Sequence, residues 1–204
     1  MKLIFGTTNK RKKEDLQSII NELNLDIEVL NMDDIKWDRG EIEETGLTIE
    51  ENSLIKAKAV HSFCLENNLM YPVITDDTGL FVDSLNGEPG IYTVRYADDE
   101  LAKDSTLPDY QCVIKLLRKL KDKDNRDASF KCCVTLMMPN GDYYQELGES
   151  KGYIKEDMPS EFIKPYHYCV FALNNFDKPF NMLNEEELKD TFRYKALRKA
   201  LKRL

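Results

Sequence analysis

Hydrophobic residues recur along this chain with two periods. Residues 2–7 carry the apolar run Leu3-Ile4-Phe5, which predicts a buried strand, and residues 10–23 place Leu16, Ile19, Ile20 and Leu23 at helical spacing. Residues 26–30 predict a second strand, and the acidic stretch 33–44 predicts a loop. A second helix follows over 49–68, with Ile55, Ala59 and Phe63 on one side. Residues 71–75 read as a strand, 79–83 as a short extended segment and 86–90 as a turn rich in Gly and Pro. The pattern then gives an amphipathic helix over 107–121 and two strands, 129–138 and 143–148. The Asn140-Gly141 pair between these strands predicts a hairpin. The stretch 185–204 is helical in pattern, with a break near Asp190. There are no repeats and no low-complexity linker, so residues 1–204 read as one mixed α/β domain.

Composition narrows the class. With 204 residues, 42% hydrophobic and 32% charged, the chain can bury a core and is not of disordered composition. Its longest apolar runs, such as 134–139, are strand-sized and too short to span a bilayer. The N-terminus turns polar after Gly6, without the apolar stretch of a signal peptide. The five cysteines are odd in number and lack C-x-x-C spacing, which predicts reduced, mostly buried thiols in a cytoplasmic protein. The net charge of −8 argues against nucleic acid as a partner. The short basic clusters at 10–13 and 193–203 suit a small phosphorylated ligand better.

Three segments carry candidate chemistry. Thr7-Thr8-Asn9-Lys10-Arg11-Lys12 joins the first strand to the first helix. Such a turn offers backbone N–H groups and the positive helix end to phosphate, or it is simply a capped surface helix. It has no Walker A glycines. In the stretch from Glu43 to Lys56, Thr48 and Glu51 fit a capping box, Asn52 and Lys56 share a helix face, and Glu44 stands at the loop mouth. It is there either as a metal ligand or as part of a solvated acidic loop. Asp76 and Asp77 follow an apolar strand, and Thr78-Gly79 comes next. Paired carboxylates there need a cation, and magnesium takes one or two carboxylates plus phosphate oxygens; the alternative is an Asp-rich turn closed by Gly79.

The three segments together resemble the inosine/xanthosine triphosphate pyrophosphatase family. The resemblance rests on Thr7-x-Asn9-x-x-Lys12, on Glu44-Thr45-Gly46-x-Thr48-x-x-Glu51-Asn52-x-x-x-Lys56-Ala57 and on the string from Asp76-Asp77-Thr78-Gly79-Leu80 to Arg95-Tyr96. It implies an elongated two-lobed α/β domain around a long mixed β-sheet with flanking helices, and an active-site cleft between the lobes. It implies a homodimer and Mg²⁺-dependent hydrolysis of a nucleoside triphosphate to the monophosphate and pyrophosphate. Thr7, Thr8, Asn9, Lys10, Lys12, Thr78 and Lys178 are the implied phosphate ligands, and Glu44 and Asp77 the implied metal ligands. Asp77 doubles as the base with Asp76 beside it, and Lys56 neutralises phosphate charge.

Near the C-terminus the chain departs from the family pattern. Where the family has Gly-Tyr-Asp-Pro, this chain has His167-Tyr168-Cys169-Val170, and where the family has Ser-His-Arg it has Thr191-Phe192-Arg193. The implied base contacts are therefore Tyr168, Cys169, Phe192 and Arg193. A thiol and an apolar ring cannot make the hydrogen bonds of Asp and His, which predicts a shifted or relaxed base preference. A non-catalytic nucleotide-binding or regulatory protein is the alternative. His61, in mid-helix, reads as structural; His167 either lines the altered pocket or is a partly exposed bystander.

Overall fold

The computed structural model describes residues 1–97, 108–157, 163, 165–176 and 178–204. Its elements are β1 (Lys2–Phe5), α1 (Lys10–Glu22), β2 (Glu28–Leu30), α2 (Ile49–Glu66), β3 (Val73–Val82), β4 (Pro89–Gly90), α3 (Pro108–Lys119), β5 (Asp127–Met137), β6 (Tyr143–Ile154), β7 (Phe171–Leu173), α4 (Glu185–Leu188) and α5 (Phe192–Leu201). Position 107, where the pattern begins α3, lies outside the described residues. The break near Asp190 is present, and α4 opens on a capping box between Asn184 and Glu187.

The strands form one mixed sheet in the order β2-β1-β3-β5-β6-β7, with β4 paired to β3. β1 runs parallel to β2 and β3, whereas β3–β4 and β6–β7 are antiparallel. Between β5 and β6 the chain reverses at Gly141, whose φ of 91° suits glycine.

The largest difference from the sequence reading concerns the acidic pair. The expected strand over 71–75 and the extended segment over 79–83 are one ten-residue strand, β3, and Asp76 and Asp77 lie in its middle rather than in a turn. Gly79 is there for close approach: an added Cβ would meet the Gly90 carbonyl of β4 at 2.7 Å. β6 likewise runs on to Ile154, beyond the expected end at 148, and β7 had no counterpart in the pattern.

The chain divides into two compact units. One comprises Met1–Thr78, Cys132–Gly148 and Phe192–Leu204, the other Gly79–Lys131 and Glu149–Thr191. The core of the first gathers Ile4, Met32, Val60, Phe63, Val73 and Met137. The buried face of α2 is not the expected Ile55–Ala59–Phe63 line. It consists of Ile49, Asn52, Ser53, Ala57, Val60, Phe63 and Cys64, two of them polar. The core of the second unit is aromatic: Phe130 packs edge-on against Phe171 and Tyr168, and Tyr168 packs against Phe180. All five cysteines are free and buried, and His61 Nε2 lies 3.2 Å from the Pro139 carbonyl. Among the described residues no helix is long and apolar enough to cross a membrane.

Candidate active site

In the first unit, β3 separates two sets of charges. Successive residues of a strand point to opposite faces, so the adjacent carboxylates have different partners. Asp76 meets Lys12 of α1, Nζ to Oδ1 at 2.8 Å, and Arg193 of α5, Nε to Oδ2 at 3.2 Å. The arginine contact is an ion pair whose geometry falls outside that of a hydrogen bond. Asp77 meets Lys56 of α2 at 3.0 Å, and the same Nζ reaches Glu44 Oε1 at 2.8 Å. The sequence-predicted Lys12, Glu44, Lys56, Asp76 and Asp77 thus gather in one unit, joined by Arg193, which the sequence had grouped with the base contacts.

Local structure holds each member in place. α2 starts at Thr48, whose hydroxyl accepts from the Glu51 amide at 3.1 Å. The capping box is incomplete, because the Glu51 carboxylate accepts instead from Leu47 N–H. Asn52 Oδ1 accepts from Gly46 N–H at 2.8 Å, which ties the loop carrying Glu44 to the helix. A Cβ at Gly46 would stand 2.6 Å from that oxygen, so the turn needs glycine. Asn52 Nδ2 is buried with no hydrogen-bond partner among the described residues.

The strand-to-helix turn is partly self-satisfied. Asn9 Oδ1 accepts from the amides of Arg11 and Lys12, and Thr7 Oγ1 accepts from the amide of Asn9. Asn9 is therefore the N-cap of α1, and those three amides are not open to phosphate. Thr8 and Lys10 are exposed, and Thr78 is half-buried beside Asp77 on β3.

The two carboxylates differ in acidity. Burial raises the Asp76 pKa, but Lys12, Arg193 and Lys56 together outweigh it and hold the group well below the usual carboxylate range. For Asp77, burial wins over the attraction of Lys56, with Glu44 and Asp76 adding repulsion, and the pKa is raised. Burial lowers the Lys56 pKa, yet Asp77, Asp76 and Glu44 raise it beyond its ordinary value. Asp15, 3.9 Å from Arg193, is raised by burial against the pull of that arginine. Among the described residues no group of three or more His, Cys, Asp or Glu could hold a metal ion. Glu44 and Asp77, converging on one ammonium, are the acidic pair that could share a cation with outside oxygens.

The remaining predicted contacts are placed differently. Phe192, implied as a base contact, is 1% exposed and packed into the first unit. The cause is the seating of α5: a Cβ on Gly148 of β6 would lie 1.8 Å from the Phe192 carbonyl. In the second unit the Cys169 thiol is buried and engaged with Ile163, accepting from its amide at 3.4 Å and donating to its carbonyl at 3.2 Å. Lys178 pairs with Glu187 at 2.6 Å. Tyr168 is half-buried in the aromatic cluster. His167 is no exposed bystander: it is buried, its Nε2 has no hydrogen-bond partner among the described residues, and burial pushes its pKa down to about 4.

Sequence reasoning missed Asp15 and the buried hydroxyls behind α2, because neither position forms part of a recognisable motif. Comparisons with known proteins converge on one family. The profile of the Ham1 family matches residues 3–203. The chain is 36% identical over 196 residues to a dITP/XTP pyrophosphatase of Flavobacterium johnsoniae, covering 96% of this chain and 93% of that protein. It is 34% identical over 204 residues to the dITP/XTP pyrophosphatase of Bacillus subtilis, covering 98% and 96%. The Ham1 protein of Staphylococcus aureus superposes with a TM-score of 0.79 at 30% identity, over 99% of this chain and 98% of that one. A HAM1 protein of Coxiella burnetii gives 0.81 at 26% identity over the whole of both chains.

Proposed function

The chain belongs to the Ham1 family, and on that premise we propose that it is a Mg²⁺-dependent pyrophosphatase cutting a nucleoside triphosphate to the monophosphate and pyrophosphate. The observation that carries this reading is the charge cluster around β3, where Lys12, Lys56 and Arg193 are drawn together by Asp76, Asp77 and Glu44. Three cations beside two carboxylates that share an ammonium suit a polyphosphate and a divalent ion. Magnesium fits the donor set: Glu44 and Asp77 supply hard oxygens, and the lack of a three-residue protein cage among the described residues leaves room for phosphate oxygens. When bound, the ion supplies neutralisation of the phosphate charge.

The protein's own groups have separable roles. Asp77, with its raised pKa, is the base that takes the proton of the attacking water. Asp76 stays ionised and orients Lys12 and Arg193 rather than exchanging protons. Lys12 and Lys56 face developing charge on the phosphate oxygens, and Asn52 Nδ2 is a buried donor suited to a ligand oxygen.

Base choice follows from two negatives: the Cys169 thiol is committed to Ile163, and the Phe192 ring is committed to the core. Discrimination is therefore relaxed relative to an inosine- or xanthosine-selective site. A cytosolic homodimer is part of the same reading, supported by the free thiols and by exposed Tyr92 and Val94 on one short helical turn. Pyrophosphate release from a panel of triphosphates, with Mg²⁺ and with EDTA, tests the proposal. Nucleotide binding without any release would move the chain to the non-catalytic alternative.

A further inference from the structure

Behind the charge cluster lies a second, uncharged one. Ser53 of α2, Thr75 of β3 and Thr135 of β5 are all 0% exposed. Ser53 Oγ and Thr135 Oγ1 are 2.8 Å apart, and Thr75 Oγ1 donates to the Ser53 carbonyl at 2.7 Å. Gln145 of β6 extends the chain of bonds: its Nε2 donates to Thr135 Oγ1 at 3.1 Å and to the Glu50 carbonyl at 2.8 Å. Because Nε2 is bonded to a backbone carbonyl, the orientation of this amide is fixed. With Thr135 Oγ1 accepting from Gln145, the threonine proton is available to Ser53.

Hydroxyls in a dry core cost stability unless paired, and small apolar residues would fill the same space. What this network adds is registry. It ties the first two turns of α2 to three strands at once. Thr75 and Asp77 share one face of β3 by the period of two, and Ser53 and Lys56 lie one helical turn apart on α2. The bond from Thr75 Oγ1 to the Ser53 backbone carbonyl is therefore the inner rung of a ladder whose outer rung is Lys56 to Asp77, and the Ser53 side chain braces that rung against Thr135 of β5. Asn52, next to Ser53, fixes the Glu44 loop to the same turn.

We propose that Ser53, Thr135 and Gln145 are positioning residues, which hold α2 on the sheet so that Lys56 stays between Glu44 and Asp77. The proposal rests on the pyrophosphatase reading for its kinetic consequence but not for its geometric one. An active-site displacement of about 1 Å can cost roughly a hundredfold in rate.

The test uses Ser53→Ala and the volume-preserving Thr135→Val, singly and together, with kcat and KM for inosine triphosphate and crystal structures of the variants. Each single variant is expected to lower kcat roughly tenfold with KM within about twofold, and the double variant to move Lys56 Nζ out of ion-pair range of Asp77. In a Lys56→Ala background, Ser53→Ala should cost less than about twofold, because its route runs through the missing ammonium. Unchanged Lys56 geometry with unchanged kcat overturns the proposal. So does an undiminished effect in the Lys56→Ala background, or loss of the fold in both single variants, each of which marks a structural role only. A wild-type protein that releases no pyrophosphate from any triphosphate sinks the functional reading instead, and the Lys56 position in the variant structures then decides the positioning proposal alone.

Discussion

The two units of the chain handle buried polarity in opposite ways. In the first, Asp76 is almost fully buried, yet Lys12 and Arg193 are both within ion-pair distance of it, and the hydroxyls behind α2 are paired in turn. In the second, His167 is buried and neutral, with one ring nitrogen unpaired among the described residues, and Cys169 satisfies its thiol on the backbone. Charges held in place by countercharges can be aimed at a ligand. Polar groups absorbed by packing contribute shape, and their cost is borne by stability. The comparison therefore predicts that changes to Asp77, Lys56 and Glu44 in the first unit show up in rate, and those in the second unit in folding.

The strongest way to break that division is Asp77→Asn. The amide is isosteric but cannot take a proton, so kcat should fall roughly 10²- to 10⁴-fold with an unaltered thermal melt. Activity within a few-fold of wild type would remove Asp77 from the mechanism and with it the functional reading of this unit. Asp76→Asn should separate charge from chemistry within the same unit. It leaves Lys12 and Arg193 facing a neutral group, and breaking a buried pair in this way costs about 3 kcal/mol at pH 7. Because the Asp76 pKa is lowered in the fold, its contribution is full above the ordinary carboxylate pKa and is lost as pH falls below it. Urea titrations of variant and wild type should therefore converge in acid. A constant gap down to pH 3 would contradict this.

How much of this was legible in the sequence depends on which physics wrote it. The parts that depend on fixed residue types at fixed spacing were readable: Thr48 as a helix start, and Lys12, Lys56, Glu44 and the Asp pair as a charge set. β1, α1 and α2 also fell within two residues of the expected bounds, since their apolar periods are long. The acidic pair was placed in a gap between two short extended segments because Asp, Thr and Gly together imitate turn chemistry. Only the approach of Gly90 to Gly79 shows that the segment is a strand. The burial of Phe192 was hidden for a related reason. A motif position shows where a residue falls in the alignment, whereas its exposure is set by the contact between α5 and Gly148, which is remote in sequence. Arg193, implied as a base contact, pairs with Asp76 through the same seating of α5.

The second unit can be sharpened by pH. A histidine whose folded pKa is about 4 takes up a proton on unfolding between that pH and its ordinary 6.5. Its burial therefore carries little proton-linked cost above pH 6.5, and stability falls as pH drops toward 4. Between pH 6.5 and 5 the loss is about 2 kcal/mol. Most carboxylates are still ionised across that window, so the slope belongs mainly to His167. In His167→Phe the slope should flatten while kcat at pH 7.5 stays within about twofold of wild type. A slope that survives the substitution would assign the acid sensitivity elsewhere. A large loss of kcat would place His167 at the ligand and erase the contrast between the units.

The smallest effect, and the one most exposed to refutation, concerns the base. A site that reads a purine edge through hydrogen bonds rejects the wrong base strongly, whereas an apolar site discriminates weakly, by roughly 10- to 200-fold per methylene. With the Cys169 thiol spent on Ile163 and Phe192 enclosed, neither position offers a donor or acceptor to a base. The ratio of kcat/KM for inosine triphosphate over adenosine and guanosine triphosphates should therefore lie within about tenfold of unity. Cys169→Ser keeps both bonds to Ile163 and should shift that ratio by less than about threefold. Cys169→Asp, which restores the family's residue, puts a carboxylate against the Ile163 carbonyl in a buried position; the expected result is a lower melting temperature rather than recovered selectivity. If the wild-type protein already prefers inosine or xanthosine triphosphate by several hundredfold, recognition must come from groups other than these two side chains. Arg193 is then the first to examine, because releasing it from Asp76 would free a guanidinium for the base.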